Sequence, residues 1–110
     1  MMSTGEGVVF LMSSGAKDNV ILRIDPATNT VAARIWAPPG ASALCAGEGA
    51  IWVSTSMPGG VSKLDPKTGI AIDTTETTAG ESFLTTGAGS VWVMNDYSSV
   101  VSRIDPRPTR

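Results

Sequence analysis

The stretch VSKLDPKTG, residues 61–69, has two relatives in the same chain: ILRIDPATN at 21–29 and VSRIDPRPT at 101–109. The Asp-Pro pairs open at Asp25, Asp65 and Asp105, forty residues apart each time. Self-similarity at a fixed period of this size is the signature of a repeat architecture, in which each unit is one supersecondary element. Two further phrases keep step with it. GEGVVFLMS (5–13), GEGAIWVST (47–55) and GAGSVWVMN (87–95) precede the Asp-Pro phrase, and the β-branched stretches TVAARIW (30–36) and GIAIDTT (69–75) follow it. Short apolar runs, SALCA (42–46) and SFLTT (82–86), come before the second and third Gly-x-Gly. Only MMST fills that slot at the start.

Each unit therefore holds four short runs bounded by Gly, Pro, Asn or Asp and rich in Val, Ile, Thr and Trp, which reads as strands. No segment carries a 3.6-residue apolar stripe long enough for a helix, so essentially none is expected. We call the runs A, B, C and D within a unit. Pro66 presets φ at the first corner of the C-to-D turn. Asp65 can accept from backbone N–H groups two or three residues on, and Gly69 suits a left-handed position. Asn29 takes the Gly69 slot in the first unit. Gly-x-Gly between A and B allows a tight hairpin with φ > 0. Asp25, Asp65 and Asp105 are accordingly read as turn residues, not catalytic ones.

Four antiparallel strands in about forty residues is the habit of a β-propeller blade. The pattern G-x-G-x-V-W-V followed by V-S-R-I-D-P-x-T-G resembles the repeats of the streptogramin lyase-like (virginiamycin B lyase-like) propellers, relatives of the YVTN and NHL repeat proteins. The resemblance covers nearly the whole chain, most fully at 42–75. It implies an all-β fold of propeller blades: 1–36 as blade 1 with a stunted first strand, 37–75 as a complete blade 2, and 76–110 as blade 3 lacking its last strand. Its relatives are expected to close rings of about seven blades.

A propeller needs four to eight blades, and these units fall short of that number. Apolar end faces, with Val91, Val93 and Val101 among their residues, are expected to be left uncovered. Either copies of the chain associate to close a ring, or the missing blades belong to a larger protein, or a short open array is stabilised by swapped or stacked partners. The first is the favoured reading.

Composition bounds the function. The apolar fraction is 42%, enough for a core, and the net charge of −2 comes without any Lys/Arg cluster. No nucleic-acid partner and no acidic membrane surface is expected. No apolar run is long enough to span a bilayer. MMSTGEG has no basic region followed by an apolar stretch, so no signal peptide is expected. The compartment is left open. The chain has one cysteine, Cys45, and no histidine. No disulfide can form within the chain, and no imidazole is there to act as general base or zinc ligand. The family resemblance implies elimination chemistry supported by His, Glu and a divalent cation. Without His, this chain is expected to be non-catalytic, or else a portion of an enzyme whose catalytic blades lie elsewhere.

In propellers the D-to-A and B-to-C loops surround one end of the central channel. The candidates there are Trp36, Lys17, Asp18, Glu76, Glu81, Asn95, Asp96 and Tyr97. Trp36 stands where the second unit has Glu76, outside the repeated code, and a Trp beside Pro38 and Pro39 can stack on a sugar or another flat ligand. The plainer alternative is packing at the blade end. Trp52 and Trp92 occupy the repeated strand-B slot, matched by Phe10, and are read as packing residues. The carboxylates Asp18, Glu76, Glu81 and Asp96 show no calcium-loop spacing, so no metal or other cofactor is assigned. The expected partners are further copies of the chain and a small-molecule or glycan ligand.

Overall fold

The computed structural model describes residues 2–5, 7–14, 19–37, 41–56, 59–76, 82–95 and 99–106. Among them the fold is all-β: eleven strands in three antiparallel sheets, and no helix. The first sheet is a meander of β1 (Met2–Gly5), β2 (Val8–Ser14), β3 (Asn19–Asp25) and β4 (Thr30–Trp36). The second repeats that order with β5 (Ala41–Gly47), β6 (Ala50–Ser56), β7 (Gly59–Leu64) and β8 (Ala71–Glu76). The third has β9 (Ser82–Gly87), β10 (Ser90–Asn95) and β11 (Val100–Ile104). The four-residue β1 is the short first strand expected of the first unit.

Local chemistry explains the turns. Asp65 Oδ1 accepts from the backbone N–H of Lys67 (2.7 Å) and of Thr68 (3.2 Å), while Gly69 N–H closes the loop onto the Asp65 carbonyl at 2.8 Å. Those two N–H donors hold the Asp65 carboxyl below its ordinary pKa. Asp25 repeats the device, accepting from Ala27 N–H at 2.9 Å, with Asn29 N–H on its carbonyl at 2.8 Å. Asn29 (φ 57°) and Gly69 (φ 73°) both take the left-handed conformation. A register shift precedes each turn, at Arg23/Ile24 and at Lys63/Leu64. The A-to-B hairpins go further than the sequence reading. In Glu48-Gly49 and Ala88-Gly89 both central residues have positive φ, the requirement of a type I′ turn, so Glu48 and Ala88 are left-handed without being glycine.

The sheets stack face to face. One core cluster joins Phe10, Met12, Ile21 and Ile35 of the first sheet to Leu44, Ile51, Val53 and Leu64 of the second. Another joins Ala50, Trp52 and Val61 of the second sheet to Val91, Val93 and Ile104 of the third. Successive side chains alternate across a strand, so β5, β6 and β7 of the second sheet bury side chains on both faces. The first strands β1, β5 and β9 lie side by side. They run in the same direction, because Gly5 meets Ala46 and Gly47 meets Thr86 at matching ends.

The expected uncovered faces need one correction. Val91 and Val93 are buried, because their parity on β10 turns them toward the second sheet. The free face of the third sheet carries Val101, as expected, together with its cross-strand neighbours Met94 and Phe83, all exposed. The free face of the first sheet carries Val9, Leu11, Val20, Leu22 and Ile24, all half-buried, together with exposed Val31 and Trp36.

Candidate functional site

Three of the candidates fall on described strands, all at the end of the sheets that carries the B-to-C and D-to-A connections. Trp36 closes β4 opposite Val20 and is 71% exposed. Glu76 closes β8 opposite Gly60 and is exposed. Asn95 closes β10 between Ser82 and Val100, but it is buried. By parity Asn95 shares the face of Val91 and Val93, so its side chain turns inward and offers almost no surface to a ligand. Lys17, Asp18, Glu81, Asp96 and Tyr97 lie outside the described residues.

Trp36 and Glu76 sit on β4 and β8, the strands farthest from β1, β5 and β9 in sheet order. Their place is thus the rim of this end, not the side where the first strands meet. Edge position explains their exposure: β8 is exposed along its whole length, including Ile70 just before it and Ile72 within it. An exposed indole on a rim can stack on a flat apolar or sugar face, and Glu76 can accept hydrogen bonds.

A cavity of about 30 Å³ lies between the second and third sheets, toward the Asp-Pro turns. Trp52, Val61, Lys63, Asp73, Ile104, Asp105 and Pro106 line it, and none of the candidate residues does. Its volume suits about one water molecule. Lys63 Nζ lies 5.5 Å from the centre of the Trp52 ring and donates to the Pro106 carbonyl at 2.7 Å, so this cation ties one sheet to the turn of the next.

The sequence reading missed that role. Arg23, Lys63 and Arg103 each stand two residues before the turn aspartate, and the strand register sets them opposite Phe10, Trp52 and Trp92. The recurrent cation was visible in R-I-D-P, K-L-D-P and R-I-D-P, but the aromatic across from it appears only once register is known. Trp52 and Trp92 are held alike, each Nε1–H donating to a glycine carbonyl: Gly47 at 2.9 Å and Gly87 at 3.0 Å.

Cys45 is buried in β5, where its thiol points to the Thr86 hydroxyl (3.8 Å) and the Ala46 carbonyl (3.9 Å). With no imidazole in the chain to take its proton, the thiol acts as a small packing group. Among the described residues no three His, Cys, Asp or Glu side chains converge as a metal site. No protein-family model matches the chain, and no curated protein matches it.

Proposed function

We propose that the chain is a non-catalytic module of the β-propeller type. Its sheets act as blades, it assembles with copies of itself, and the end carrying Trp36 and Glu76 receives a small-molecule, glycan or protein partner. The observation that carries the reading is the pair of apolar sheet faces at the two ends of the stack. Phe83, Met94 and Val101 form an exposed row at one end, and at the other Val31 lies exposed beside half-buried Val9 and Leu11. Exposed apolar side chains gathered on one sheet face mark an interaction surface. Support for the ring geometry comes from the side-by-side, same-direction packing of β1, β5 and β9, the strands that would line a central channel. The resemblance of the repeated phrases to the streptogramin lyase-like propellers agrees with it. The assignment as non-catalytic follows from a chain without histidine and from a thiol packed away between sheets.

Molar mass from light scattering, measured over a wide concentration range, tests the reading. A discrete multimer is the expected result. A monomer at high concentration that binds hydrophobic dyes overturns it in favour of a portion of a larger ring. For the ligand end, a glycan array with the wild type and Trp36→Ala is decisive: a signal that Trp36→Ala does not weaken removes Trp36 from the proposal.

A further inference from the structure

The two sheet-to-sheet junctions inside the chain are built alike, and the third sheet repeats one half of that junction with no described residue against it. A Cβ on Gly5 would lie 2.6 Å from the Ala46 carbonyl oxygen, and one on Gly47 would strike Thr86. On Gly87 it would meet nothing within 4 Å. The residue two before each glycine behaves the same way. Ser3 Oγ accepts from Ala46 N–H at 3.0 Å, and the Cys45 thiol reaches Thr86 Oγ1 at 3.8 Å, but Thr85 is exposed. Likewise Val61 is 1% exposed under the third sheet, whereas Val101, its counterpart on β11, is 65% exposed.

The missing half of this junction is present at the other end of the same chain. Ala46 and Thr86, the residues pressed onto Gly5 and Gly47, stand one before the terminal glycine of their strand. In β1 that position is Thr4, which is exposed. Val9 and Leu11 occupy on β2 the places of Ile51 and Val53 on β6 and of Val91 and Val93 on β10, which are buried against a preceding sheet.

We propose that a second copy of this chain docks head to tail on the third sheet, with its Thr4 seated on Gly87 beside Thr85. This rests on the assembly reading above and adds to it the faces, the direction and the register. Met94, Val101 and Phe83 then pack under the Val9–Leu11 face of the next copy. Arg103 reaches the Asp25-Pro26 turn of that copy, as Lys63 reaches Pro106 within the chain. The contact is heterologous, using two different patches, so it closes a ring or continues as a filament. Two copies supply six sheets, within the four to eight of known propellers.

The test uses two full-length variants, Thr4→Cys and Thr85→Cys, each also carrying Cys45→Ala so that the introduced thiol is the only one. The equivalent pair inside the chain, Cys45 Sγ and Thr86 Oγ1, is in contact at 3.8 Å, so the two introduced thiols are expected to lie side by side if the register is right. The expected result is a covalent dimer when the two variants are mixed and oxidised, and none from either alone. A Thr85→Cys dimer formed without the other variant means that like faces meet, and overturns the direction while leaving the assembly reading intact. A multimer with no cross-link in the mixture overturns the register, again without touching that reading. A strictly monomeric wild type overturns both. Val101→Glu, at a site that is 65% exposed in the single chain, is expected to raise the concentration needed for assembly at least tenfold. An unchanged concentration argues against this face.

Discussion

The second and third sheets carry the same pattern in different circumstances. Ala43, Ser54 and Val61 form a cross-strand row on one face of the second sheet and are buried. Phe83, Met94 and Val101 form the matching row on the third sheet and are exposed. The two tryptophans differ in the same sense: Trp52 is buried and Trp92 half-buried, although both donate to an equivalent glycine carbonyl. The strand, its hydrogen bonds and its turn are therefore local properties, while the burial of its faces is conferred by the neighbouring sheet. The exposed row is also the bulkier one, with Phe and Met in the places of Ala and Ser.

The largest test of this contrast is the tryptophan pair. Trp52→Ala is expected to cost about 3–5 kcal/mol in urea unfolding, the range for emptying a buried aromatic site. Trp92→Ala, measured at low protein concentration, should cost less than about 2 kcal/mol, because water already reaches that face. Equal losses would mean that the third sheet is covered as the second is. Next come the strand-end glycines. Gly47→Ala drives a Cβ into Thr86 and is expected to cost about 1–3 kcal/mol. Gly87→Ala should leave the stability of the single chain within about 0.5 kcal/mol, yet weaken assembly. A third comparison sets the rim against the core. Trp36→Ala should change stability by no more than about 0.5 kcal/mol, since the side chain is mostly in water.

The smallest effect belongs to the turn. The Asp65 carboxyl titrates lower in the folded chain than in the unfolded one, because the Lys67 and Thr68 N–H groups favour its charged form. Its contribution is present above the unfolded pKa of about 3.9 and is lost as pH falls through the lower folded value. The stability difference between wild type and Asp65→Asn should therefore be constant above about pH 5 and shrink below about pH 4. A difference that grows on acidification would contradict the assigned hydrogen bonds.

Much of the strand order was legible because it depends on near neighbours. Asp-Pro turns, Gly-x-Gly hairpins and short β-branched runs act within a few residues, and they place β2 to β11 close to the expected segments. The site was less legible. Asn95 reads as a polar loop-end residue, yet its place two residues beyond Val93 on the inward side of β10 buries it. Val91 and Val93 were expected on an open end and are covered, because which side of a strand meets a neighbour depends on the stacking order of sheets. Arg23, Lys63 and Arg103 recur visibly in the sequence, but their pairing with aromatics needs cross-strand register.

By itself the amino-acid order determined the turns, the antiparallel meanders and the absence of helix among the described residues. These follow from backbone preferences and side-chain periodicity over short spans. Only the tertiary structure decided which face of each sheet is covered, that Gly5 and Gly47 are pressed by a neighbour while Gly87 is not, and that the two ends of the stack carry matching halves of one junction. Those facts arise from contacts between residues about forty positions apart. The shared turn and strand-B code recurs in every unit and so does not by itself tell a covered sheet from an open one.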